Sequence, residues 1–332
     1  MAGQHTKRFL EYLLTVWVIV TLNFALPRVM PGDPFLFLSA EEGDEIARFN
    51  EAQQHYYRSQ YGLERPLMAQ YTTYLGALFK GDLGYSIYYN QGVTMILLRR
   101  LPWTLLLVTA AVALSTLAGC LLGSLSAYFR GRRPDRWLYP AMIAVSEIPA
   151  FLLGLLLLFT LAAGLKLFPL SGAMTHFAAY NGLWNKFMDI VRHAALPVLT
   201  LTMVRTGGMY LLARNSTATV LAKDYLRTAQ AKGLHPLRIL VRYTLRNAML
   251  PIVTRIFLSL GGLVGGAILV ENVFAYPGLG CLMREAVLVH DYPMIQGIFL
   301  LVTLSVMSAN FFADMIYRRL DPRIQERASV TP

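Results

Sequence analysis

The sequence predicts an all-α integral membrane protein with six transmembrane helices, and three observations carry that prediction. Apolar residues make up 55% of the 332 positions and charged residues only 15%, where a soluble domain has about a quarter charged. A core of this size cannot hide so much apolar surface, so lipid must be part of the solvent. The apolar residues also fall into six runs, each reaching about the 20 residues that a helix needs to cross a bilayer. Lys and Arg, finally, concentrate in alternate segments between those runs. The net charge of +11 is explained by this bias, without nucleic acid. Two cysteines, Cys120 and Cys281, are too few for a disulfide framework or a Cys-rich metal site. A soluble enzyme is excluded.

The first run, 9–27, carries one charge, Glu11. Thr6-Lys7-Arg8 could begin a leader, but no small-x-small site follows cleanly and Pro27-Arg28 interrupts the end, so the run reads as a retained helix. Residues 1–30 form the N-terminal tail and this helix. Residues 31–100 are the only long segment between runs. Glu41 to Tyr61 read as a polar helix there, and Gly62, Pro66, Gly81 and Gly84 break the remainder into short pieces. The remaining 101–332 hold five runs: 103–129 without charge, 137–165 with Glu147, 193–213 with Arg205, 247–270 with Arg255, and 294–313 without charge. With the N-terminus in the cytoplasm, the inner segments 1–8, 130–136, 214–250 and 318–332 hold 17 basic side chains in 67 residues. The outer segments 28–100, 166–195 and 272–293 hold 11 in 125. Both termini are therefore expected on the cytoplasmic side.

Familiar catalytic signatures are missing. The chain contains no GxxxxGK[ST], HExxH or GxSxG, and its six histidines are scattered without a metal-ligand spacing. Charges inside apolar runs are costly and mark functional positions. Glu147, two residues before a kink at Pro149, and Arg205 are candidates for lining a path, together with Glu271 and Asn272 after the fifth run. The plainer reading is that Glu147 and Arg205 pair between helices or touch pore water without coupling anything. Arg255 lies one turn inside its run and can snorkel to the cytoplasm. Gly261, Gly262, Gly265 and Gly266 make two overlapping GxxxG patterns, which allow close helix approach as a packing seam or gate.

The most informative segment is the loop 214–250. Asp224 caps a short helix over 225–232, closed by Gly233, and Pro236 opens a second helix that runs to about Met249 before Leu250-Pro251 enters the fifth run. Tyr225, Leu226 and Ala229 fall at one edge of the first helix, an apolar corner suited to a groove on another protein.

The run Asp224-Tyr225-Leu226-Arg227-Thr228-Ala229-Gln230-Ala231-Lys232-Gly233-Leu234, followed by Leu245-Arg246-Asn247-Ala248-Met249-Leu250-Pro251, resembles the coupling loop of ABC-importer permeases of the dipeptide, oligopeptide and nickel branch. The general importer motif is Glu-Ala-Ala, three residues, Gly; here Arg227, Thr228, Ala229 and Gly233 occupy those places, and the longer DY-x-RTA-x-AKGL pattern of the branch replaces it. Further resemblances are Pro31-Gly32-Asp33-Pro34, Tyr61-Gly62-Leu63, Gly81-Asp82-Leu83-Gly84, Arg100-Leu101-Pro102, Pro169-Leu170-Ser171-Gly172, Glu271-Asn272-Val273-Phe274, Pro277-Gly278-Leu279-Gly280, Asp291-Tyr292-Pro293 and Asp321-Pro322-Arg323. The chain departs from the family at Glu147, where a neutral residue is usual, at His235, where Ser is common, and at Cys281, where Arg is common.

The resemblance implies a type I ABC-importer permease fold in a bacterial cytoplasmic membrane. It implies a non-catalytic half-pore that pairs with a second, similar permease subunit, two cytoplasmic ATPases and an extracytoplasmic solute-binding protein. ATP and Mg would sit on the ATPases, with no cofactor or metal in this chain. Asp224, Tyr225, Leu226, Arg227, Thr228, Ala229, Lys232 and Gly233 would form the coupling element. The implied cargo is a di- or oligopeptide, with nickel or a metal chelate as the alternative. An ion-coupled carrier using Glu147 and Arg205 is a remoter reading.

Overall fold

The computed structural model describes residues 2–29, 65–235 and 238–320. Several features read from the sequence therefore lie outside the described residues: the Pro31–Pro34 motif, the polar helix over 41–61, Tyr61-Gly62-Leu63, Pro236 and Asp321-Pro322-Arg323. The described residues are helical and irregular, apart from one isolated antiparallel bridge between Tyr85 and Gly92. The helices are α1 (Ala2–Val29), α2 (Leu67–Phe79), α3 (Val93–Tyr128), α4 (Arg133–Ser146), α5 (Ala150–Leu157), α6 (Leu183–Leu221), α7 (Asp224–Ala231), α8 (Arg246–Val273), α9 (Leu279–Leu288) and α10 (Tyr292–Leu320). Among the described residues α3, α6 and Tyr292–Ala313 are each long and apolar enough to cross a membrane. The bent pair of α4 with 150–164 makes a fourth if counted as one span.

The chain divides into two compact units, 1–102 with 278–304, and 103–277 with 305–332. In the first unit α1 leaves Leu10, Leu13, Leu14, Trp17, Leu22 and Leu26 exposed and turns Val20, Asn23 and Phe24 inward. That is the pattern of a helix with lipid on one side. Phe24 packs edge-on against Tyr71 of α2 at 5.1 Å, and the Asn23 amide donates to the Gln296 carbonyl at 2.8 Å. The unit's apolar core joins Val93, Ile96 and Leu97 to Leu279, Leu282, Met294, Ile295 and Ile298.

The second unit is built around α6. Gly119 and Gly123 of α3 lie so close to it that an added Cβ would fall 2.5 Å from the Met209 Cβ and the Tyr210 carbonyl oxygen, respectively. On another face Gly207 would meet Ser146 of α4 at 2.5 Å. Leu107, Val108, Leu153, Leu157, Leu196, Leu201, Val270 and Phe274 fill the space between.

Three elements differ from the sequence reading. The run 137–165, expected to kink at Pro149, is broken there into two helices bent by 98°. Pro149 supplies no N–H and holds Ile148 away from the α region, so the first helix stops at Ser146 and Pro149 becomes the cap of the next, accepting from Leu152 and Leu153. A π-helical turn, Leu158–Gly164, ends this segment. The helix expected from residue 103 begins at Val93, because the 85–92 turn delivers the chain with the Val93 N–H on the Gly84 carbonyl. Pro102 is then accommodated inside it. No break occurs at Leu250-Pro251 either: a π segment, Ile239–Leu245, runs directly into α8.

Candidate coupling loop and intramembrane polar residues

After α6 ends at Leu221, one tight turn delivers the chain into α7, with the Lys223 N–H on the Val220 carbonyl at 3.0 Å. Asp224 lies in the first turn of α7, favourable at the positive end of the helix dipole. Its 3.7 Å pairing with Arg227 is fully solvated and contributes little. Gly233 adopts φ +70°, and the Leu234 N–H returns to the Ala229 carbonyl at 3.4 Å. This left-handed closure is the one that the glycine at this place predicts.

Leu226 and Ala229 do not form an exposed apolar corner. They are 2% and 5% exposed and pack with Ile239, against Val220, Leu221, Leu234 and Tyr243. The physical reason is length: a helix of eight residues has one apolar stripe, and the returning chain covers it first. Tyr225 remains half-exposed and accepts a hydrogen bond from the Asn247 amide at 3.0 Å. The outward face is therefore Asp224, Tyr225, Arg227, Thr228 and Lys232.

A polar cluster that sequence reasoning missed stands at the foot of α6. Arg214 grips Asp135 with two parallel bonds, Nε to Oδ1 at 2.9 Å and Nη2 to Oδ2 at 3.0 Å. Ser126 donates to the same carboxylate and shares a 2.6 Å hydrogen bond with Tyr210, and the Gly131 N–H adds a third donor to the carboxylate at 3.0 Å. The Arg214 hydrogen bonds hold the Asp135 carboxyl well below the usual carboxylate range. Burial opposes them, and Ser126 and Gly131 reinforce them. The network ties α3, α4 and α6. Its one sequence signal is that Asp135 is the sole acid among Arg130, Arg132, Arg133 and Arg136.

Between residues 175 and 193 a second carboxylate acts as a tie. Asp189 accepts from the Thr175 N–H (2.7 Å), the Thr175 hydroxyl (2.8 Å) and the Tyr180 hydroxyl (2.6 Å). Burial pushes its pKa upward, but these donors and His193 outweigh it and bring it down to about 2.

The candidate path residues are dispersed. Glu147 is exposed at the break after α4, and no ion pair joins it to Arg205 among the described residues. Arg205 is half-buried on α6, with Nη2 3.7 Å from the position of a Cβ on Gly266. Glu271 is fully buried and accepts from the Thr104 hydroxyl at 2.7 Å, a link between α3 and α8. Asn272 donates to the Ile268 carbonyl at 2.8 Å. A Cβ on Gly265 would meet open space, so close packing within the chain uses Gly119, Gly123 and Gly207 and does not use Gly265.

Residues 119–326 match the family described as binding-protein-dependent transport system inner membrane component. The chain is 34% identical over 326 residues to the di/tripeptide transport system permease protein DppB of Pseudomonas aeruginosa, covering 94% of this chain and 96% of that one. To the dipeptide transport system permease protein DppB of Escherichia coli K12 it is 33% identical over 341 residues, covering 98% and 99%. Its fold is similar to a chain of the inward-facing MetNI methionine ABC transporter, with a TM-score of 0.56 at 17% identity over 69% of this chain and 97% of that one. With both a family match over most of its length and end-to-end similarity to named permeases, the chain belongs to the inner-membrane components of binding-protein-dependent transport systems, the non-catalytic permease subunits of ABC importers.

Proposed function

We propose that this chain forms half of a translocation path for di- and oligopeptides across the bacterial cytoplasmic membrane. In this reading it crosses the membrane six times with both termini in the cytoplasm. It pairs with a second, similar permease subunit, and two cytoplasmic ATPases bind the ATP and Mg. Residues 31–100 face a solute-binding protein that hands over the cargo, and 101–332 form the moving core. The peptide cargo is supported by the relatives, which are named for dipeptide and di/tripeptide transport.

The observation that carries the coupling role is the self-packed loop, in which α7 is held to the root of α8 by Leu226, Ala229 and Ile239. A push on the outward face of α7 cannot be absorbed inside such a packed joint, so it passes to α6 and α8. Asp224, Tyr225, Arg227, Thr228 and Lys232 would meet the ATPase. Leu226, Ala229 and Gly233 would keep the element rigid. Gly265, with open space over it, would face the second permease subunit, alongside Gly261 and Gly262 of the same stripe.

The test is to tag the chain, extract it gently from its native membrane and identify what co-purifies by mass spectrometry. The complex is then reconstituted with its binding protein. A second permease with P-loop ATPases, together with ATP-dependent uptake of a labelled dipeptide, is the expected result. Uptake of nickel but no peptide would move the cargo to the metal branch, and a chain that co-purifies alone would overturn the half-pore arrangement.

A further inference from the structure

Arg205 lies well inside the 39-residue helix α6, half-buried, and no carboxylate of the described residues lies within ion-pair distance of it. A guanidinium inside a membrane helix is costly and is retained where it faces a partner, a cavity or a substrate. Its surroundings increase that cost. Arg255 of α8 acts on it electrostatically with the same sign of charge and has no carboxylate of its own among the described residues. One turn before Arg205, the Thr202 hydroxyl is buried without a hydrogen-bond partner among the described residues. Across from it α8 presents Gly266, whose missing side chain leaves the space beside Nη2, 3.7 Å from where a Cβ would stand. A guanidinium without a carboxylate, with a like charge acting on it and a gap beside its Nη2, is what a transient anion completes.

We propose that Arg205, assisted by Arg255, is a carboxylate station for the peptide in transit. The inference rests on the peptide-importer reading and deepens it. A planar guanidinium binds a carboxylate by two parallel hydrogen bonds. A terminal carboxylate is common to unmodified peptides whatever their side chains, so such a station serves varied cargo equally. Repulsion from Arg255 makes the unoccupied site unfavourable, and the same two charges favour an arriving anion. The site is open on one side, so it holds the anion without enclosing it, as a path requires.

The test is arginine-selective footprinting of the purified, ATPase-bearing complex with phenylglyoxal, read by mass spectrometry at Arg205 and Arg255. Three peptides serve as protectants: dialanine, dialaninamide, and Ala-Glu amide, which carries only a side-chain carboxylate. Dialanine at ten times its dissociation constant is expected to slow modification of Arg205 by about tenfold, and dialaninamide is expected to leave it unchanged. Protection by Ala-Glu amide would show that any carboxylate is accepted, and its failure that the terminal one is required; both support the site. Equal protection by dialanine and dialaninamide, or none by either, would overturn it.

In reconstituted vesicles Arg205→Gln is expected to lower dialanine uptake about tenfold, with Arg205→Lys recovering part of the loss. Gly266→Leu, which fills the space while keeping the charge, is expected to lower uptake similarly. Normal dialanine uptake by both Arg205→Gln and Gly266→Leu would overturn the station and leave the importer intact. Failure of the unaltered complex to import any peptide would overturn the importer reading and this inference with it.

Discussion

Gly233 is held at φ +70° with no atom within 4 Å of the place a Cβ would occupy, so only backbone conformation opposes substitution there. A β-branched residue in the left-handed region costs about 1–2 kcal/mol, whereas Asn visits it readily. Gly233→Val is therefore expected to uncouple ATP hydrolysis from uptake and Gly233→Asn to leave coupling near normal, measured as peptide moved per ATP hydrolysed. Equal coupling in the two variants would remove the conformational argument. Gly119 is the opposite case, where space decides and conformation does not. An added methyl would overlap Met209 at 2.5 Å, so Gly119→Ala is expected to destabilise the chain by about 1–3 kcal/mol and lower its melting midpoint in detergent. Gly265→Ala, with open space, is expected to leave the midpoint unchanged. The Gly119-Cys120-Leu121-Leu122-Gly123 pattern was as visible in the sequence as the four glycines of α8, but spacing does not say which glycine finds a neighbour. Only the course of α6 past α3 decides it.

At the scale of elements, the break between α4 and α5 was readable because a proline acts on its immediate neighbours, and its effect at Ile148 is local. The Asp135–Arg214 grip was not readable, because its partners are 79 residues apart and meet only through the packing of three helices. Removing one member leaves the other buried without its charge partner, so Asp135→Asn and Arg214→Gln are each expected to destabilise more than half as much as the double variant. Their coupling should be about 0.5–3 kcal/mol in a double-mutant cycle. The folded-state pKa of Asp135 is depressed. Its stabilisation is thus fully present above the ordinary carboxylate value of about 4 and is lost as pH falls through the lower, folded value. Melting midpoints of wild type and Asp135→Asn should accordingly converge on acidification below about pH 4. A gap that stays constant with pH would assign the effect to packing alone.

For the whole molecule, composition and the six apolar runs gave the membrane class, and the loop motif gave the family. The sequence reading put Leu226 and Ala229 at an exposed corner of the loop, and the structure buries both. Leu226 and Ala229 were legible as one apolar stripe, yet whether a stripe meets the same chain or another is a tertiary fact. The consequence is a separable pair of outcomes. Leu226→Ala should destabilise the isolated subunit by about 2–5 kcal/mol through a buried cavity. Thr228→Arg, on the exposed face, should leave the subunit's melting midpoint unchanged while reducing the ATPases recovered with it. If Thr228→Arg retains them in full, the outward face of α7 is not the docking surface.

The length of α6 has one further mechanical result. Thirty-nine residues at 1.5 Å each make a rod of about 58 Å, roughly twice the thickness of a bilayer's hydrocarbon layer. A rod tilting about its middle by roughly 10° swings each end by about 5 Å in opposite directions. One end of this rod leads into α7 and the other follows Gly182, where the chain turns at φ +102°. In the proposed importer such a tilt would make the helix a lever, with Arg205 near its centre turning in place while its ends travel.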